Sequence, residues 1–294
     1  MLVTRRVARE GLGIGAGAPL WCAGEVPAGP RVAIVGARAA HRAALERVPA
    51  LVEAAAEAGF SVVSGGAIGV DAAVHRAALA AGVPQLAVVP SAPERPYPPH
   101  HGPLFAAIAA APGSGVVFTL QPGQGPCKAV FASRNGVVIG LAEAVVVVEA
   151  ARGSGSFGSG RLALRRRRRV AALLGSPGAA ALIADGAAAI DGPLEDPRAW
   201  GASLARWLRG GAEAEVEGEA AAAGRRWPEH LRWLAVALVG AGRSGVTVDG
   251  LEAGVAGAPE SPAGVLLALL EAESLGLVVE AEIGRYRPVG TPAV

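Results

Sequence analysis

The sequence predicts an α/β protein, a parallel sheet with helices on both faces, followed by a small domain of different character. Three observations predict it. Short apolar runs recur at 31–35 (RVAIV), 61–64 (SVVS), 85–89 (QLAVV), 115–119 (GVVFT), 144–150 (AVVVVEA) and 169–174 (RVAALL). Runs that stay apolar instead of alternating mark strands buried on both faces, as in parallel sheets. Between the runs lie Ala-rich stretches with helical spacing, several of them stopped by glycine. Finally, an acidic, Ala-rich stretch of low complexity (212–226) separates all of this from a last segment with its own pattern.

The elements follow in order. Residues 1–30 are rich in Gly and Pro, with one hydrophobic patch at Leu20 and Trp21, and read as a short N-terminal arm. The first strand ends at Gly36. A helix over 41–59 carries Leu45, Val48, Leu51 and Val52 near helical spacing and stops at Gly59, and Pro49 within it predicts a kink or break. A helix over 70–81 stops at Gly82. A Pro-rich loop (90–99) precedes helices near 103–110 and 129–141. The α/β domain is therefore placed at 31–192, with an amphipathic helix (195–211) and linker filling 193–226. In the last part, 227–294, helices are expected at 229–239, from Val248–Asp249 onward, and at 261–273. Two short strands (277–282, 285–289) meet at a Gly284 turn. Three helices and a hairpin in that order predict a small C-terminal winged-helix domain.

Composition excludes several classes. No stretch of about 18 apolar residues appears, and the start MLVTRRVARE lacks the apolar core of a signal peptide, so a cytoplasmic protein without membrane contact is expected. Cys22 and Cys127 stand far apart without metal-ligand spacing, which predicts no zinc site and no disulfide framework. Charge is uneven along the chain. Residues 1–150 carry 11 basic and 9 acidic side chains, 151–226 carry 12 and 8, and 227–294 carry 4 and 8. A polyanion is thus expected to meet the chain before position 227, and the acidic last domain to pack on protein.

In a parallel sheet, ligands gather where loops leave the carboxyl ends of the strands. Gly36-Ala37-Arg38 leaves the first strand, where a small residue lets backbone approach an anion. A structural turn with a surface arginine is the plainer reading. Ser64-Gly65-Gly66-Ala67-Ile68-Gly69-Val70-Asp71 leaves the second, and its glycines suit a nest of backbone N–H groups. Asp71 is expected to cap the following helix and to reach His75 four residues on. In QPGQGPCKAVFASRN (121–135) the only lysine, Lys128, then Phe131 and Arg134 recur at spacings of three, with Asn135 beside them. On a helix these share a face that offers a cation, a stacking ring, a guanidinium and an amide. The alternative buries Phe131 in the core and leaves Lys128 and Arg134 solvated. Glu149 and Arg152-Gly-Ser154-Gly-Ser156 follow another strand, and their small polar residues suit either a phosphate or a flexible loop. The run Arg165–Arg169, preceded by Arg161, reads as a solvated helix end or as a stripe for a nucleic-acid backbone.

These blocks resemble, in this order, the DprA/Smf DNA-processing family: VAIVGAR, SGGAIGVDAAVHRAAL, Tyr97-Pro98, then Pro126, Phe131 and Arg134-Asn135, then VVVVEA with RGSGS. The resemblance spans about residues 31–190. It implies a Rossmann-like fold, single-stranded DNA binding, homodimerisation, and delivery of incoming DNA to the RecA recombinase, as in natural transformation; separately, the residues predict no catalysis and no cofactor. It places the DNA pocket at Gly36, Ala37, Arg38, Gly65, Gly66, Ala67, Lys128, Phe131, Arg134 and Asn135, to which the loop residues Ser154 and Ser156 are added. The chain departs from the family at Ala37, where Ser or Thr is usual, and at Gly136, where a basic residue is usual. SAPER (91–95) replaces Gly-Leu-Asp before Tyr97, and alanines stand at 179–181. A competing class is a nucleotide-binding or phosphoribohydrolase-like enzyme of a related fold. Such an enzyme calls for a PGGxGT-type loop with a nearby Glu, whereas PGQGPC (122–127) has neither the Thr nor the Glu. No nucleophile–base pair or metal cluster stands out.

Overall fold

A computed structural model describes residues 2–9, 12–14, 17–124 and 128–210, and beyond these 233–234, 237–238, 246–247, 251, 265, 268–269, 278–282 and 285–288. The chain divides into two compact units, Met1–Leu182 with Ala189–Arg209, and Ile183–Ala188 with Gly210–Val294.

The first unit is built on a mixed sheet whose strand order is β1-β2-β6-β5-β4-β3-β7-β8-β9. Its centre is parallel: β3 (Arg31–Val35), β4 (Ser61–Ser64), β5 (Gln85–Val89), β6 (Gly115–Phe118), β7 (Ala144–Val147) and β8 (Arg169–Leu173). The apolar runs form these strands because both faces are covered, and Val32, Ala33, Ile34, Val62, Val63, Val145 and Val146 are fully buried. From β3 the chain adds β4, β5 and β6 on one side, then returns to lay β7 on the other side of β3. The β3–β7 junction is thus the topological switch point of the sheet.

The helices between the strands are α1 (Arg42–Leu45), α2 (Val48–Glu57), α3 (Val70–Ala81), α4 (Gly102–Ala110), α5 (Lys128–Leu141), α6 (Gly155–Arg165) and α7 (Pro177–Ala184), followed by β9 (Ala188–Ile190) and α8 (Pro197–Gly210). The stretch expected to kink at Pro49 is divided into α1 and α2, and Pro49 stands in the first turn of α2, where its missing N–H costs nothing. Gly82 ends α3 in the left-handed conformation, φ 66°. Arg47 reaches back to Ala43 O and lies 4.8 Å over the ring of buried Trp200, tying α2 to α8.

Two features differ from the sequence expectation. Within residues 1–30, β1 (Thr4–Val7) and β2 (Leu20–Gly24) pair antiparallel with each other, and β2 extends the main sheet by pairing antiparallel with β6. The glycine- and serine-rich stretch after β7 is the start of helix α6, whose N-cap Ser154 accepts the Phe157 N–H at 3.3 Å.

In the second unit, β10 (Val246–Thr247), β12 (Arg285–Pro288) and β11 (Val278–Glu282) form an antiparallel sheet in that order. The two expected strands pair antiparallel, while the expected Gly284 turn lies outside the described residues; residues 233–234, 237–238, 251, 265 and 268–269 are helical, each inside an expected helix. Among the described residues, no helix is long and apolar enough to cross a membrane.

Beneath β4, His75 is fully buried and its Nδ1–H donates to Gln85 Oε1 at 2.7 Å, while Gln85 Nε2 donates to His75 O at 3.2 Å. Its Nε2 has no hydrogen-bond partner. Burial holds the imidazole pKa below its ordinary value of 6.5, against the Gln85 bond and the Asp71 charge, and nearby His101 and Arg134 push it the same way as burial. The unfolded chain therefore takes up a proton near pH 6.5 that the folded chain refuses, so the His75 contribution is full above that pH and is lost as pH falls below it. Urea unfolding at about pH 7.5 and about pH 5.5 is expected to show a total loss of at most about 1.4 kcal/mol across this window, because the unfolded imidazole is only half protonated at about pH 6.5. The slope should flatten in His75→Gln; an equal slope in both proteins would assign the acid sensitivity elsewhere.

Candidate nucleic-acid interface

The carboxyl ends of β3 and β7 open onto a cleft of about 740 Å³. Three loops and three helices enclose it. From the loop after β3 come Gly36, Ala37, Arg38 and His41; from the loop after β4 comes Ala67, and from the first turn of α3 comes Asp71. The end of β7 contributes Glu149, and α6 contributes Ser154, Gly155, Ser156 and Ser159. The fourth wall is one face of α5, with Phe131, Arg134, Asn135 and Val138. A smaller recess of about 130 Å³ adjoins it, lined by Arg38, Gly65, Ala67, Ile68, Tyr97, Pro98 and Phe131 among others.

The loops meet because glycine lets them. Gly69 has φ +78°, and a β-carbon there would stand 2.4 Å from both Ala37 O and Arg38 O. The loop after β4 thus packs directly against the backbone that carries Arg38, joined by Val70 N–H to Ala37 O at 3.2 Å. The far end of that backbone is held by Glu149, which accepts the His41 backbone N–H at 3.0 Å and faces His41 Nδ1 at 3.0 Å. Glu149 is thus a carboxylate of the cleft wall, and Ser156, whose hydroxyl donates to Glu149 O at 3.4 Å, has that hydroxyl 3.1 Å from Ser154 Oγ.

Arg134 is buried in the cleft floor, with Nη1 3.7 Å from Asp71 Oδ2 and 3.5 Å from Val88 O. Asp71 Oδ2 also accepts Ala67 N–H at 3.3 Å. Burial lowers the Arg134 pKa, Asp71 opposes that, and the charge of Arg38 adds to it. Gly65 is what admits the guanidinium, since a β-carbon on Gly65 would fall 1.3 Å from Arg134 Nη1. The expected pairing of Asp71 with His75 is therefore replaced: Asp71 turns to Arg134 and Ala67, and His75 turns to Gln85.

Phe131 is half-buried and lines both recesses, so its ring belongs to the cleft wall. It stands edge-on to half-exposed Tyr97, with centroids 5.6 Å apart, and the exposed Arg38 guanidinium lies 5.6 Å from its centroid. Gly66 lines neither recess. Its conformation, φ +70°, turns its α-carbon toward Val89 and Phe105, and its carbonyl accepts His101 Nδ1–H at 3.0 Å. Lys128 begins α5, and its side chain lies outside the described residues, as do Pro126 and Cys127. The described part of the PGQGPC loop does not line the cleft; there, Gly123 N–H is held by Glu94.

The arginine run divides by function. Arg166 Nη1 donates to Gly136 O at 2.9 Å, Arg168 Nη2 to Gly140 O at 3.3 Å, and Arg169 to Trp207 O, so these three tie the end of α6 and the start of β8 to α5 and α8. Arg161, Arg165 and Arg167 are exposed. Among the described residues no three His, Cys, Asp or Glu side chains are grouped to hold a metal ion.

The sequence pattern of the family described as DNA recombination-mediator protein A matches residues 15–195. A DNA processing protein DprA of Mycobacterium tuberculosis is 40% identical over 148 residues, 50% of this chain and 37% of that protein. Protein Smf of Escherichia coli is 35% identical over 172 residues, 56% of this chain and 46% of that protein. The chain thus spans about half or less of the length of these relatives. The X-ray structure of DprA from Streptococcus pneumoniae superposes with a TM-score of 0.55 at 31% identity, covering 60% of this chain and 64% of that one. A DprA structure from Helicobacter pylori, described for its single-stranded DNA binding mode, superposes with a TM-score of 0.58 at 24% identity, covering 69% and 96%, and shares the fold.

Proposed function

This chain belongs to the family of DNA recombination-mediator protein A, and from that premise we propose that it binds single-stranded DNA in the cleft at the β3–β7 switch point, as a mediator of recombination and not as an enzyme. The observation that carries the reading is the set of groups at the cleft mouth. Arg38 is exposed beside the accessible face of Phe131, and Tyr97 stands edge-on behind it. A ring flanked by a guanidinium is a stacking platform with a phosphate contact next to it, and it is indifferent to base identity. The N-terminus of α6, with its Ser154 cap, offers further N–H groups to an anion. The pocket is assigned to Gly36, Ala37, Arg38, Gly65, Ala67, Phe131, Arg134, Asn135, Ser154 and Ser156. Asp71 and Arg134 act together as its floor, because a paired guanidinium contributes shape and donors more than net charge. By kinship, the partners in this reading are the RecA recombinase and a second copy of the chain, in the cytoplasm and in the context of natural transformation. The second unit is read as a winged-helix domain that does not carry the DNA site.

Titration of a labelled oligothymidylate, a duplex and mononucleotides at several salt concentrations tests this. The single strand should bind in preference to the others, with log K falling linearly as log salt rises. Arg38→Ala is expected to flatten that slope by about 0.7, the share of one phosphate contact on a single strand. Preference for a mononucleotide, or an unchanged slope and affinity in Arg38→Ala, would overturn the assignment.

A further inference from the structure

We infer that Glu149 is a positioning residue of the DNA cleft: it holds the turn that carries Arg38, so that a carboxylate inside a polyanion site strengthens binding. The inference rests on the single-strand reading above and deepens it. By charge alone, Glu149 works against that reading. It lines the same cleft as Arg38 and Phe131, and a fixed negative charge there repels phosphate. Its two oxygens, however, are turned to the chain itself. Oε2 accepts the His41 backbone N–H at 3.0 Å, and Oε1 stands 3.0 Å from His41 Nδ1. The Glu149 side chain is only 13% exposed, so water competes little for these contacts.

The turn needs such a hold at its far end. Its near end rests on the loop after β4, where the Ala37 carbonyl accepts the Val70 N–H at 3.2 Å. Its far end is His41, the N-cap of the four-residue α1. Between them run Arg38, Ala39 and Ala40, exposed or half-buried, and the two alanine methyls carry no polar atom that could anchor the turn. Glu149, by contrast, stands on fixed backbone. Val148 N–H donates to Val35 O at 2.9 Å, Ala150 N–H to Ser176 Oγ at 3.1 Å, and Gly178 N–H to Ala150 O at 2.8 Å. The carboxylate therefore passes the position of the sheet end on to the turn. At the middle of that turn the exposed Arg38 guanidinium lies 5.6 Å from the Phe131 centroid. A guanidinium already held in place loses less freedom when a phosphate arrives, and this is how a tie that touches no DNA raises affinity.

Two conservative variants separate reach from charge. Glu149→Asp keeps the charge but draws the carboxylate back by one C–C bond, about 1.5 Å, which takes both His41 contacts out of hydrogen-bond range. Glu149→Gln removes the charge but keeps the reach, with an oxygen for the His41 N–H and amide hydrogens for Nδ1. Each is titrated with a labelled oligothymidylate at several salt concentrations, alone and combined with Arg38→Ala, and its Tm is measured. Glu149→Asp should bind about threefold to tenfold more weakly, the cost of freeing one long side chain, and no more weakly than Arg38→Ala. Its salt slope should flatten toward that of Arg38→Ala. In the Arg38→Ala background, Glu149→Asp should change affinity by less than about twofold. Glu149→Gln should bind at least as tightly as the unaltered chain. The role is overturned if Glu149→Asp binds as the unaltered chain does, or if it weakens binding equally without Arg38. It is overturned as well if Glu149→Gln is weakened as much as Glu149→Asp, because the charge and not the reach would then matter. A loss of affinity that accompanies a fall in Tm, with the salt slope unchanged, is a merely structural effect and has the same consequence. If Arg38→Ala itself leaves binding unchanged, the cleft reading fails, and this role with it.

Discussion

Replacing Asp71 with alanine is expected to cost the folded protein about 3–5 kcal/mol, the penalty for removing one partner of a buried ion pair. Asp71 and Arg134 are both buried, with Oδ2 and Nη1 3.7 Å apart. The guanidinium has little else to hold it. Its bond to Val88 O is long, at 3.5 Å, and its Nε has no hydrogen-bond partner. Without Asp71 a cation would remain in a site where burial already works against it. For a domain of this size the loss corresponds to a fall in Tm of about 10 °C or more. Removing the cation as well should restore much of the stability, because no unpaired charge is left. Asp71→Ala/Arg134→Met is therefore expected to melt above Asp71→Ala alone. If the double variant melts lower than the single one, the pair is not the source of the loss.

The pair also shows where the sequence stops being legible. The central strands are readable because burial on both faces makes them unbroken apolar runs, which nothing else in the chain imitates. The β1 strand, Thr-Arg-Arg-Val, has no such signature, because Arg5 and Arg6 are exposed at the edge of the sheet and its place is set by backbone pairing with β2. The start of α6 reads as a loop because Gly155, Gly158 and Gly160 are poor helix formers, yet Gly160 is required where Leu182 packs, 2.6 Å from where its β-carbon would be. In the site, the residues that leave the strand ends are legible, since topology sends those loops to one place. Their partners are not. Asp71 and Arg134 are far apart in sequence, as are His41 and Glu149, and helical spacing offers Asp71 only the nearby His75. What decides between His75 and Arg134 is the space above Gly65, which exists only once α5 is laid across the end of β4.

That space supplies the most severe test of the site. Gly65→Ala is expected to abolish the cleft as built, although it adds a single methyl group. The new β-carbon would fall 1.3 Å from Arg134 Nη1, 2.5 Å from its Cζ and 2.6 Å from Asp71 Oδ2. The atoms met are side-chain ends and not backbone, so the guanidinium is the group that gives way, and it must leave Asp71. The recesses it now lines, beside Phe131, offer the space to receive it. Two losses follow from one displacement. Stability should fall by an amount comparable to Asp71→Ala, because the same ion pair is broken. Single-strand affinity should fall as well, by at least the about 1–3 kcal/mol that a blocked stacking face costs, which is about fivefold to over a hundredfold. The second change separates crowding from backbone strain. The backbone at Gly65 does not lie in the left-handed region, so alanine is sterically allowed there once Arg134 is shortened. Gly65→Ala/Arg134→Ala should therefore be no less stable than Arg134→Ala alone, with the two single losses far from additive. Additive losses would mean that Gly65 is needed for some reason other than admitting Arg134. Wild-type affinity and Tm in Gly65→Ala would remove the buried guanidinium from the cleft floor altogether.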